Sequence, residues 1–389
     1  MPPSSESITQ WTELIEAHMP CLSRPQAQVL ALWSYAAQVL QNCGQSQVAF
    51  FLAQLLGQKE DTLRQRLREW TWEAAAKAGP KRQAVAVQPC FSCLLVWVLS
   101  VWAPGERRLA LALDASTLGQ RFVVLAISVL YRGCAVPVAW RILPAAQPGA
   151  WRPHWEALLA QVQPGIPSDW CVLVLADRGL FAHWLFKSIQ QLGWHPFLRI
   201  NTGGKCRPAG KRVYRPLLDL LRPAGQVWSG HVVCFKVRPL SATLLTYRDA
   251  AHTSAWLILT DLEPEAADIT WYSLRAWIEA QFKDLKRGGY QWQRTRMTDP
   301  ERAQRLWLVL ALALLCSLSV GDQADSQAPA CMLADLPPTH IARRRATGGP
   351  KPRRLSLVTR GHLAALAALL RGLPLSIPPL AHNEPWSRP

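Results

Sequence analysis

Acidic residues are the first shortage. The 389-residue chain has 26 Asp and Glu against 43 Lys and Arg, a formal charge of +17. Such a surplus favours a polyanionic partner, nucleic acid or an anionic membrane surface, and leaves the choice between them open. Long apolar runs are missing too. The longest, Leu306 to Val320, stops at fifteen residues. A membrane span needs about 20, so this run reads as a buried helix. Met1 to Gln10 is polar, with none of the features of a secretory leader. Paired metal-binding cysteines are also absent. Ten cysteines fall at irregular spacings, and the one close pair, Cys90-x-x-Cys93, has no second pair and no His nearby. A zinc site needs four ligands, so core packing is the expectation for that pair. Reduced thiols, a cytoplasmic protein and no membrane association are expected in turn. The chain shows no internal repeat.

What is present is a globular chain. Half of its residues are apolar, and the length suffices for two or three domains. Nineteen tryptophans supply core and leave aromatic surface for stacking on bases.

Residues 1–80 read as helical. Gln26 to Gln41 has helical apolar spacing, and Val48 to Leu56 forms a second segment. After Gly57, Asp61-Thr62 caps a basic helix, Leu63 to Trp70. That is the outline of a helix-turn-helix, with Arg64, Arg66 and Arg68 as candidate DNA contacts. A plain helical bundle with a basic face fits equally well. A linker at Gly79-Pro80-Lys81-Arg82 opens residues 81–107, and apolar Leu94 to Ala103 suits a buried helix.

From Arg108 the period changes. Leu109 to Asp114 is a short apolar run ending in an acid. Phe122 to Tyr131 and Ala135 to Leu143 follow across short glycine links, which predicts a three-stranded antiparallel meander. A helix is expected over Trp151 to Val162. Next comes a fourth strand, Cys171 to Asp177, again ending in an acid. A helix over Gly179 to Leu192 and a fifth strand over His195 to Asn201 complete the series. Residues 202–262 open with Gly, Lys, Arg and Pro, then show strand-like runs at Val232 to Val237, Thr243 to Tyr247 and Trp256 to Leu262. They read as a small β-rich insertion. Residues 321–389 form a looser, Pro-rich, basic tail. Arg343-Arg344-Arg345 and Lys351-Pro352-Arg353-Arg354 cluster there, either to touch nucleic acid or as a solvated run. His362 to Leu370 adds a short helix.

Between insertion and tail lies Trp271 to Lys286, free of Pro and Gly, with Thr270 available as its cap. At about 100° per residue, Tyr272, Arg275, Glu279 and Lys286 share one stripe. A carboxylate flanked by cations suits metal-assisted chemistry on a phosphate backbone. Glu279 with Lys283 is equally an ordinary helix-stabilising pair. Asp284 points off the stripe.

The predicted order of strands and helices is that of an α/β, ribonuclease H-like domain built from residues 108–201 and 263–320. There the first and fourth strands lie side by side, so Asp114 and Asp177 come within a few ångströms, and Glu279 completes the set. Each acid alone has a structural explanation, since aspartates that end strands often cap the next turn. Together, three carboxylates repel unless a cation sits among them. Oxygen-only ligands favour Mg²⁺ or Mn²⁺. Two such ions about 4 Å apart activate a nucleophile and stabilise the leaving oxygen.

Here the chain resembles bacterial insertion-sequence transposases of the DDE type, in the group with a Tyr-x2-Arg-x3-Glu-x6-Lys signature. Tyr272, Arg275, Glu279 and Lys286 match that spacing at all four places. Leu113-Asp114-Ala115-Ser116-Thr117 and Ala176-Asp177-Arg178-Gly179 resemble the two aspartate motifs. The likeness covers about residues 108–320. It implies that Asp114, Asp177 and Glu279 are catalytic and bind two metal ions. It implies that Tyr272, Arg275 and Lys286 hold the transposon-end strand. It also implies cleavage by water, joining by the freed 3′-hydroxyl, and a homodimer on paired double-stranded DNA ends. Many members of the group pass through a hairpin with a flipped base stacked on a Trp, a place that Trp228 or Trp256 can fill. Two alternatives remain: a ribonuclease H-like nuclease that cleaves without joining, and a domesticated DNA-binding protein without catalysis.

Overall fold

Three near-continuous apolar runs build the centre of the molecule. They are β1 (Arg108–Leu118), β2 (Phe122–Tyr131) and β3 (Cys134–Pro144), paired antiparallel in a meander. The computed structural model describes residues 3–79, 82–102, 105–147, 151–248, 254–325, 355–374 and 380. The β1–β2 link carries Gly119 and the β2–β3 link Gly133, at φ 56° and 83°, where a side chain would be strained. Every residue of β2 is buried, as expected of a strand covered on both faces.

A crossover through α6 (Arg152–Val162) brings β4 (Cys171–Ala176) parallel to β1. After α7 (His183–Gln191), β5 (His195–Arg199) lies parallel to β4. The strand order is β3-β2-β1-β4-β5, with the first and fourth strands side by side as expected. The fold is mixed α/β. The next strands are β6 (Lys205–Pro208), β7 (Arg215–Pro216), β8 (Val227–Cys234), β9 (Leu240–Tyr247) and β10 (Trp256–Thr260). They continue the same sheet, β10 joining β5, to make ten strands among the described residues. The short strands β6 and β7 have no apolar run and were invisible to periodicity.

β1 runs four residues past the predicted end at Asp114. Its pairing with β2 continues to Leu118 opposite Phe122, whereas its pairing with β4 stops at Leu113 opposite Ala176. Asp114 therefore sits inside a strand, at the point where one of its two neighbours ends.

The predicted apolar helix is longer than its uninterrupted run. α9 (Pro300–Ala324) starts from Asp299, whose side chain accepts from Arg302 N at 3.0 Å. It is long and apolar enough to cross a membrane, yet its apolar window is entirely buried by the rest of the chain. It is the core helix. The amino-terminal helices α1 (Pro3–His18), α2 (Arg24–Leu40), α3 (Gln45–Leu56), α4 (Glu60–Thr71) and α5 (Pro89–Ser100) share its core. α4 begins after Lys59, not at an Asp61 cap. It buries Leu63, Leu67 and Trp70, and the Trp70 indole donates to Arg305 O at 3.1 Å. Arg68 on the same helix is exposed.

α10 (Leu357–Leu370) packs along α9, beginning five residues before the predicted short helix. Gly321 and Gly361 make the close approach possible, since a methyl group on either would run into backbone of the other helix. Buried Arg132, in the β2–β3 link, pairs with Asp322 and, at 3.1 Å, with Asp325, and Arg360 reaches Asp325 at 3.2 Å. The basic clusters at 343–345 and 351–354 lie outside the described residues.

Candidate active site

The stripe that the sequence places on one α-helix is carried by two kinds of helix. Ile269–Ala276 is 3-10, and α8 (Trp277–Leu285) continues from it. Asp268, not Thr270, caps the start, its side chain accepting from Thr270 N at 2.9 Å. Three residues make one turn of a 3-10 helix, so Tyr272 and Arg275 are stacked directly. Four residues make about one turn of the α-helix, so Glu279 follows beneath Arg275.

Asp114, Arg275 and Glu279 meet. The Arg275 guanidinium donates to Asp114 Oδ2 at 2.8 Å through Nη2, and to Glu279 Oε1 through Nη1. The three side chains are 17%, 8% and 13% exposed. Asp177 follows Ala176, the β4 partner of Leu113, so the two aspartates occupy equivalent places on adjacent parallel strands. Strand spacing puts such positions about 5 Å apart. Each aspartate accepts from the next backbone N–H, Ala115 N at 2.8 Å and Arg178 N at 2.7 Å. That bond fixes the carboxylate plane. The Tyr272 hydroxyl donates to Asp177 Oδ1 at 3.4 Å, and Arg199 Nη1 lies 3.9 Å from the same oxygen.

Electrostatics follow from this packing. Burial raises the Asp114 carboxyl above its ordinary value against the pull of Arg275, and the Asp177 charge adds to the rise. Burial works against the Arg275 charge, but Asp114 and its neighbours outweigh it and hold the guanidinium above its usual value. Burial also raises the Tyr272 phenol, so it stays protonated and able to donate.

The three expected DNA contacts are engaged with protein. Tyr272 and Arg275 are buried. Lys286 donates to Ser116 Oγ and to Thr117 O, both at 2.7 Å, tying the end of α8 to the free portion of β1. Burial lowers its pKa. Arg199, at the end of β5, was missed in the sequence. Only the meeting of β5 with β4 brings it to Asp177, and it also donates to Ser254 Oγ and Ala255 O at 3.1 Å. Of the two tryptophans singled out, Trp256 packs edge-on against Tyr272 with ring centres 5.2 Å apart. Trp228 lies farther along the sheet on β8.

Three carboxylates suit a hard divalent cation in donor type. Among the described residues, however, no three acidic, His or Cys side chains converge closely enough to hold one. Arg275 takes up the space between Asp114 and Glu279. The donors fit such an ion, and their present spacing fits the guanidinium.

Residues 150–316 match the family profile described as a transposase DDE domain. That span includes Asp177, Glu279 and the rest of the helical stripe, while Asp114 lies before it. No curated protein matches the chain. Among solved structures, the chain is similar to the piggyBac transposase in a synaptic complex with hairpin DNA. The identity is 12% and the TM-score 0.38, covering 79% of this chain and 71% of that one. The segment that carries most of the candidate site, residues 150–316, is thus similar to a transposase DDE domain.

Proposed function

We propose that this chain is a transposase that cuts and rejoins the ends of its own mobile element, with Asp114, Asp177 and Glu279 as its catalytic acids. The observation that carries the reading is the Arg275 bridge. Two acids 165 positions apart in the chain, Asp114 and Glu279, share one buried cation, with Asp177 one strand away. A fold that gathers carboxylates at a sheet end needs positive charge there, and polyanion chemistry provides a use for it.

In this reading Asp114, Asp177 and Glu279 hold two Mg²⁺ or Mn²⁺ ions. Two ions held by these residues would supply a lowered pKa at the attacking hydroxyl and neutralised charge at the phosphate and leaving oxygen. The chain's own residues do the rest. The N–H groups of Ala115 and Arg178 keep the two aspartates aimed at one point. Arg275 swings from Glu279 towards the scissile phosphate, which replaces the carboxylate as its anionic partner. Tyr272 steadies Asp177, and Trp256, packed on Tyr272, offers an aromatic face beside the site. Water attacks first, and the freed 3′-hydroxyl then attacks target DNA. The bacterial insertion-sequence group, a homodimer on paired ends and a nucleoid-associated place in the cytoplasm belong to the same proposal.

The test is a strand-transfer assay with labelled end DNA, supplied intact and pre-cut, in Mg²⁺ or Mn²⁺. Cleavage of the intact end and a joined product from the pre-cut end are expected, both lost in Glu279→Gln. Cleavage without joining would replace the proposal with a nuclease.

A further inference from the structure

Three of the cysteines converge, which their positions in the chain do not foretell. Cys21 lies between α1 and α2. Cys90 and Cys93 lie one turn apart at the start of α5. Cys21 Sγ is 3.3 Å from Cys90 Sγ, across 69 residues of chain. Cys21 is exposed, Cys93 half-buried and Cys90 buried. The approach is braced from both sides. His18, just before Cys21, stacks on Trp97 of α5 with ring centres 4.7 Å apart and planes 7° from parallel, and Trp11 packs on the same ring at 5.4 Å. The end of α1 is thereby held against α5, and Cys21 with it. The neighbouring Cys90 thiol, assisted by Cys93, draws the Cys21 thiol down to about 7, while its contact with Cys21 and burial push Cys90 up. One sulfur is therefore exposed and readily ionised, and the other is sheltered and close behind it, as in a reactive thiol with its resolving partner.

We infer that Cys21 and Cys90 form a peroxide-sensitive dithiol site whose oxidation locks the α1–α2 connection to α5. The Cys21 thiolate attacks one oxygen of hydrogen peroxide. An S–O bond forms, the O–O bond breaks, and the leaving hydroxide takes a proton to become water. The Cys90 sulfur then attacks the Cys21 sulfenic acid. The S–S bond forms, the S–O bond breaks, and the Cys90 proton leaves with the oxygen as a second water. Two thiols supply the two electrons that reduce one hydrogen peroxide. In a reducing compartment such a bond is transient. Its effect is mechanical, since it ties the amino-terminal helices to the helix that leads into β1.

The test uses the full chain, reduced and then treated with hydrogen peroxide. Free thiols are alkylated before peptide mapping by mass spectrometry. The expected result is a peptide pair joining Cys21 to Cys90 within one chain and two fewer alkylated thiols. The melting temperature should rise by about 5 °C, reversibly with dithiothreitol. Cys21→Ser should fold, because the residue is exposed, and should lose both the linked peptide and the rise. Cys90→Ser, if it unfolds, leaves the wild-type mapping decisive. A bond from Cys21 to Cys93, or between two chains, would overturn the pairing. So would Cys21 passing to sulfinic acid while Cys90 stays alkylatable. Zinc that protects all three thiols at one equivalent would replace the dithiol with a metal site.

Discussion

Arg275 Nη2 lies 2.8 Å from Asp114 Oδ2 and its other arm bonds Glu279, so one buried guanidinium holds together the acids of β1 and α8. Replacing it with Gln keeps a donor of similar reach and removes the charge. Two part-buried carboxylates are then left facing each other, a loss of about 2–3 kcal/mol. Urea unfolding of Arg275→Gln should show this loss without divalent ions. Millimolar Mg²⁺ should recover much of it, because an ion can then take the vacated place. An equal loss with and without Mg²⁺ would separate these acids from any metal site.

Asp114→Asn, Asp177→Asn and Glu279→Gln should each lower DNA cleavage by about 10³-fold or more. Their affinity for end DNA, read by gel shift in EDTA, should stay within about threefold of the parent. Any one of the three that cleaves normally removes that residue from the site.

Asp284, off the stripe, gives a pH signature. Burial raises its carboxyl to about 7, with Lys283 opposing. Between the ordinary value of 3.8 and about 7, the folded chain holds a proton that the unfolded chain has released. Stability from this group is therefore highest at low pH, declines as pH rises through that window and is flat above it. Asp284→Asn should stabilise the protein by about 2–4 kcal/mol at pH 8 and by almost nothing at pH 4. Urea midpoints at pH 4, 6 and 8 measure it. An unchanged slope in the variant would assign the pH dependence to another group.

Gly321→Ala drives a methyl group into the Leu357 carbonyl, and Gly361→Ala does the same to that of Ser317. Either should cost about 2–3 kcal/mol. Hydrogen exchange should locate the loss in α10, with β1 and β4 keeping their protection. Uniform loss across the sheet would mean that α10 and the core unfold as one unit.

Much of this was legible in the order of residues. Strand β2 was predicted to its ends, because an unbroken apolar run bounded by a glycine link has one good solution. Strands β1 and β4, with an acid where their shared ladder stops, follow from the same local logic. α9 was underestimated because Pro300 and Asp299 mark its start six residues before its apolar run begins.

Local pattern by itself determined that this is a mixed α/β protein with a basic surplus and acids at strand ends, since periodicity, caps and charge are properties of neighbouring residues. Only tertiary structure decided which groups those acids meet. A helical stripe shows where the Arg275 side chain points and not that Asp114 lies opposite it. Arg199 and Cys21 gave no signal, because their partners are supplied by β4 and α5 once the sheet and the helical layer close. Partial burial then chose among the available charges: acids drawn largely out of water take the nearest cation, and for Asp114 and Glu279 that is the guanidinium one turn above Glu279.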